Sequence, residues 1–161
     1  MNPDLLASIR ALAEILLSRD LRIVTAESCT GGGIASALTD VAGSSGWFEC
    51  GFVTYSNEAK IRYLNVAPST IEQYGAVSEE TVRAMVAGAV NNSLGELAVA
   101  VSGIAGPGGG SDEKPVGTVW FAWGNADTQI TERCHFSGDR AAVREQAVIH
   151  GIQGLCRWLS C

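Results

Sequence analysis

Residues 21–43 read LRIVTAESCTGGGIASALTDVAG, and the order of chemistry along them decides the fold. Leu21 to Ala26 is an apolar, β-branched run with the composition of a strand. An acid, a serine, a cysteine and a threonine follow, then Gly31, Gly32 and Gly33. Beyond the glycines the apolar residues return at helical spacing and stop near Gly43. A buried strand that runs through a glycine turn into a helix is the repeating step of an α/β protein.

The flanking segments continue that alternation. Upstream, Leu5, Leu6, Ile9, Leu12, Ala13, Leu16 and Leu17 fall at helical spacing behind Asn2 as N-cap and Pro3 in the first turn. Downstream, WFECGFVTYS is an aromatic-rich strand, and PSTIEQYG carries a capping box, Ser69 with Glu72, and a stop at Gly75. SEETVRAMVAGAVNNS is a longer helix with Ser78 as N-cap. ELAVAVSGIAG has the continuous apolar run of a buried strand, and GTVWFAWG and QITERCHFSG follow as a hairpin across NADT. The chain closes on an amphipathic helix with Val148, Ile152, Leu155 and Leu159 on one stripe. These elements predict one domain over residues 1–161. Its fold class is a three-layer α/β/α sandwich around a mixed, mostly parallel sheet of about five strands.

Composition narrows the function. The formal charge is −6, where a nucleic-acid binder presents a basic face. No apolar run reaches membrane-spanning length and no signal segment opens the chain, so a cytoplasmic protein is expected. Five cysteines without a C-x-x-C pair predict reduced thiols and no zinc site. The apolar faces of the two terminal helices would suit a homodimer.

Three polar segments interrupt the scaffold: TAESCTGGG, TYSNEAK and SGIAGPGGGSDEKPVG. Each follows a strand, and ligands in open α/β sheets gather at the carboxyl ends of strands. Neither glycine cluster is a dinucleotide fingerprint or a P-loop, since Ser36 and Pro115 stand where those motifs need other residues. Glycines at 31–33 and 106–110 nevertheless permit close approach of a ligand, or else serve turns with positive φ. The two histidines, His135 and His150, lie outside the polar segments, which argues against a Ser-His-Asp triad. The two lysines, Lys60 and Lys114, lie within them, against nine arginines spread elsewhere. A desolvated lysine can act as a base where arginine cannot. Ser28 is favoured over Cys29 as nucleophile because no histidine partner for a thiol is near, although a cysteine at a helix start is expected to have a lowered pKa. Glu27 reads as a second base or as a helix-start acid, the latter favoured.

Taken together and in order, AESCTGG, GFVTYSNEAK, AVSEETV, SGIAGPGGGSDEKPVGTVWFA and FSGDR resemble the C-terminal domain of the competence/damage-inducible CinA family, over roughly Leu5 to Leu159. The likeness is greatest to its stand-alone amidase members. The resemblance implies hydrolysis of nicotinamide mononucleotide to nicotinate mononucleotide and ammonia. It implies Ser28 as nucleophile, Lys60 as its base and Tyr55 as relay or orienter, with no metal or cofactor. On that reading the backbone N–H groups of Cys29 and Thr30 face the oxyanion, and Gly31, Gly32, Gly103, Ala105, Gly106 and Arg140 contact the substrate. Arg140 is a candidate for the phosphate and equally reads as a first-turn surface arginine. A lysine base also requires a pKa lowered from about 10.4 toward about 7–8. A non-catalytic nucleotide-binding module and an amidase for another pyridine carboxamide are the competing readings.

Overall fold

The structure is a computed structural model describing residues 1–161. Five strands form one sheet in the order β2-β1-β3-β4-β5. They are β1 (Ile23–Glu27), β2 (Phe48–Val53), β3 (Leu97–Gly103), β4 (Thr118–Gly124) and β5 (Gln129–His135). β1 runs parallel to β2 and to β3, whereas β4 is antiparallel to both β3 and β5. Four of the five strands therefore point the same way, and the expected mixed, mostly parallel sheet is present.

Six helices cover the two faces: α1 (Pro3–Ser18), α2 (Gly33–Thr39), α3 (Asn57–Leu64), α4 (Pro68–Tyr74), α5 (Glu79–Asn91) and α6 (Arg140–Leu159). One core cluster joins Ile9, Leu12 and Leu16 of α1, Ile34 of α2 and Ile152 and Leu155 of α6 to Val99, Phe121 and Trp123 of the sheet. The other joins Leu64 of α3 and Val82, Met85 and Val86 of α5 to Val24, Ala98 and Ala100. Adjacent residues of one strand, such as Ala98 and Val99, thus enter opposite cores. Central strands buried on both faces explain the unbroken apolar runs of β1 and β3. No helix is long and apolar enough to cross a membrane.

Several local expectations are corrected. Only the first half of the TYSNEAK segment, Thr54 to Ser56, is irregular: Ser56 caps α3 by accepting from the Ala59 N–H at 3.0 Å, and Lys60 lies in the first turns of that helix. Only Lys60 and Leu64, four residues apart, are buried on α3. A helix whose inward face is half lysine has no hydrophobic period to read. The Ser69–Glu72 capping box does not form, because α4 starts earlier, with Ala67 as cap and Pro68 in the first position. α2 begins at Gly33 and ends at Thr39, short of Gly43, and residues 44–46 make a turn of 3-10 helix. The apolar faces of α1 and α6 meet in one common core.

Candidate active site

The site is set by strand register. Glu27 lies level with Val53 on β2 and with Val101 on β3. The ladder extends one residue further, with Ser28 N–H donating to Val101 O at 3.1 Å and Thr54 N–H to Glu27 O at 2.9 Å. The carboxyl ends of three parallel strands therefore open onto the same cleft of about 270 Å³, of a size for a small ligand. Ser28 and Cys29 line it from β1, Tyr55, Asn57 and Lys60 from the β2–α3 turn, and Ser102 to Gly106 from the end of β3.

Lys60 is buried, 1 % exposed. Its Nζ lies 2.9 Å from Ser28 Oγ, 2.9 Å from Thr54 O and 3.0 Å from Tyr55 O. An ammonium has three N–H donors for these three oxygens. A neutral amine has two, which match the two carbonyls, and a lone pair left for the Ser28 hydroxyl. Burial pushes Lys60 down from 10.5 to about 8, against a smaller upward pull from Cys29. Desolvation thus outweighs the acidic net charge.

Cys29 behaves oppositely to expectation. It is buried beside Ser28, and burial pushes its thiol up to about 11, so the protonated form prevails at neutral pH. The reason is that the helix starts four residues later, at Gly33, and the thiol lies in a buried turn. Glu27 is a helix-start acid, as read: its carboxylate accepts from Thr30 Oγ1 at 2.6 Å and from the N–H groups of Ile34 and Ala35 at 2.8 and 3.0 Å.

Tyr55 divides its contributions. Its backbone carbonyl accepts from Lys60, and Ser28 Oγ is 3.3 Å from the same oxygen, but the exposed side chain accepts from Arg140 at 3.1 Å through its hydroxyl. The phenol is therefore directed to Arg140, and it is the peptide that touches the dyad. Arg140, first residue of α6, also donates to Gly106 O at 2.9 Å and lines the cleft. Of the other expected contacts, Cys29, Gly103, Ala105 and Gly106 line the cleft, while Thr30, Gly31 and Gly32 do not. Gly31 and Gly32 have φ of 60° and 95°, so the turn geometry accounts for them. The second glycine cluster does reach the cleft, through Gly106, Gly108 and Gly109.

Two contributors escaped the sequence reading. Ser102, a buried hydroxyl at the end of β3, lies on the cleft wall; its signal was a lone serine closing the apolar run AVAVS. Arg144 reaches across from α6 to donate to Cys29 O at 3.1 Å and Thr30 O at 3.4 Å. Its spacing of four from Arg140 puts both on one side of α6. By holding both carbonyls, Arg144 braces the turn that follows β1. The N–H groups of Cys29 and Thr30 donate to no backbone carbonyl.

A buried Ser–Lys pair at the carboxyl edge of a three-layer α/β/α sheet defines an α/β protein whose cleft is equipped for nucleophilic chemistry. Comparison with known proteins places it further: the CinA C-terminal domain family matches residues 7–159, and the chain belongs to that family. The nicotinamide-nucleotide amidohydrolase PncC of Pseudomonas putida is 57% identical over 144 residues, covering 89% of this chain and 90% of that protein. The protein of the same name from Escherichia coli K12 is 52% identical over 155 residues, covering 96% and 94%. A CinA-superfamily crystal structure from Klebsiella pneumoniae superposes with a TM-score of 0.91 at 41% identity, covering 96% of both chains.

Proposed function

We propose that this chain hydrolyses the carboxamide of nicotinamide mononucleotide, giving nicotinate mononucleotide and ammonia, through an acyl-enzyme on Ser28. The observation that carries the reading is the position of Lys60 Nζ, buried, 2.9 Å from Ser28 Oγ, with two carbonyls taking its remaining hydrogens. The names of the relatives support the substrate.

Neutral Lys60 accepts the Ser28 proton as Oγ bonds to the carboxamide carbon. The carbonyl oxygen becomes an oxyanion facing the Cys29 N–H at the cleft wall, a donor worth about 3 kcal/mol. Lys60 returns the proton to the departing nitrogen, which leaves as ammonia and a serine ester remains. Water then attacks the ester, Lys60 takes its proton and passes it to Ser28 Oγ, and the acid is released. The substrate phosphate is met by Arg140 and the Gly106–Gly109 turn, a local sink in a chain of net charge −6.

Incubation of the purified protein with nicotinamide mononucleotide tests the reading. Stoichiometric ammonia and acid product are expected. Binding without ammonia would mark a regulatory module, and neither binding nor turnover would remove this substrate.

A further inference from the structure

Outside the cleft, the fold gathers a set of donor atoms that the spacing of the chain conceals. Glu132 and Cys134 are neighbours on one face of the edge strand β5, and His150 projects toward them from α6. Cys134 Sγ lies 3.3 Å from Glu132 Oε1 and 3.4 Å from His150 Nε2, and Nε2 and Oε1 are themselves in direct contact. Three different ligand atoms thus form a mutual triangle. No C-x-x-C or histidine motif announces it, because the third donor comes from another element; the sequence expectation of no zinc site considered chain spacing alone.

The triangle is not a relay for a thiol nucleophile. In such a relay the carboxylate holds the nitrogen away from the sulfur. Here Cys134 and Glu132 both converge on Nε2, which carries at most one proton. Oε1 likewise takes both Cys134 Sγ and Nε2, so three donor atoms face one point, and a cation seated among them would part Nε2 and Oε1 to about 3.3 Å. In a tetrahedral zinc site, with bonds of about 2.0–2.3 Å, sulfur and its neighbouring N or O ligands are about 3.5 Å apart. The surroundings preorganise the imidazole, which is boxed by the rings of Phe121, Trp123 and Phe136 at centroid distances of 4.8, 5.9 and 5.8 Å. Arg157 lies 4.0 Å from Glu132 Oε1, but it is half exposed and seated over the Trp123 ring, so solvent screens its opposition.

We propose that Glu132 Oε1, Cys134 Sγ and His150 Nε2 form a three-ligand site for a zinc-type divalent cation, distinct from the amidase cleft, that staples the edge strand β5 to α6. The donor set of thiolate, imidazole and carboxylate matches that class of metal. Binding releases one proton, from the Cys134 thiol, and leaves the imidazole proton on Nδ1. One thiolate and one carboxylate then neutralise the dication. A cysteine ligates as thiolate, so uptake and proton release are coupled. Water or a solvent anion completes the fourth position.

The test uses the purified full chain, stripped of metal and titrated with Zn2+ or Co2+ alone. One equivalent is expected to bind, raising Tm, and Co2+ should show a thiolate charge-transfer band. Cys134→Ser should abolish the band, and Cys134→Ser and His150→Gln should each weaken binding about 100-fold or more. Cys161→Ser, which removes the exposed C-terminal thiol, should change nothing. Uptake unaffected by Cys134→Ser and His150→Gln, uptake lost in Cys161→Ser, or no uptake by the wild-type chain would each overturn the proposal. Amidase turnover should be the same with and without the metal, which separates this site from the Ser28–Lys60 reading.

Discussion

Replacing Lys60 by arginine is the sharpest perturbation of the proposed mechanism, and the structure sets its scale. With a pKa of about 8, about one lysine in eleven is neutral at pH 7; at the ordinary 10.5 the fraction would be about one in three thousand. Burial therefore raises the reactive fraction about 300-fold at that pH. Arginine keeps its charge at any working pH, and its planar fork does not reproduce an Nζ held among Ser28 Oγ, Thr54 O and Tyr55 O. General-base assistance contributes about 10²–10⁴-fold, so Lys60→Arg should lower kcat/KM by at least that range. The assay is ammonia release from nicotinamide mononucleotide between pH 6 and 10. The wild type should gain about tenfold per pH unit up to about 8 and then level off. A folded Lys60→Arg protein with near-wild-type turnover and the same pH limb would refute the reasoning.

Ser28→Ala should remove nearly all turnover, whereas Cys29→Ala, lacking a thiol that burial keeps protonated, should retain most of it; the opposite pattern would exchange their roles. Arg140→Gln should raise KM about tenfold to a hundredfold for the nucleotide with little change in kcat, and should leave the unphosphorylated nucleoside unaffected if the guanidinium serves the phosphate. Lys60 is a buried lysine whose folded pKa lies below its unfolded value, so the unfolded chain holds more protons between about 8 and 10.5. Wild-type stability relative to Lys60→Met should accordingly rise with pH across that window and be flat below it, as read from Tm. Gly88→Ala would place a Cβ 1.9 Å from Leu64 O, driving α5 against the end of the helix that carries Lys60. A loss of about 1–3 kcal/mol by denaturant titration, together with reduced turnover, is expected.

The layered fold was legible because β1 and β3 are apolar throughout, as strands buried on both faces must be, while α1 and α6 show clear helical stripes. Ser28 and Lys60 were legible as chemistry by their placement after strands. What failed to show was anything that depends on partners distant in sequence. α3 was hidden because Lys60 occupies an inward position that a sequence pattern assigns to a hydrophobe. Cys29 was read from a helix start that the chain reaches only at Gly33, and burial, which reverses its pKa shift, is a tertiary property. The resemblance placed Tyr55 at the dyad as relay or orienter, whereas the partner of its phenol, Arg140, is 85 residues away. Arg144 likewise braces the turn after β1 from 115 residues downstream of Cys29.

The matching of three oxygens to one amine has a kinetic meaning as well as a chemical one. Charged or neutral, Lys60 finds a partner for every direction around Nζ, so deprotonation need move no heavy atom. The charged form donates to Ser28 Oγ and frees the hydroxyl hydrogen to turn toward Tyr55 O, 3.3 Å away. Loss of one proton reverses the polarity of a single hydrogen bond, and the serine becomes the donor. Switching on is then a hydroxyl rotation on the picosecond-to-nanosecond scale of side-chain motion, without a loop to reorder. Activity after a jump from acid to alkaline pH should appear with no lag.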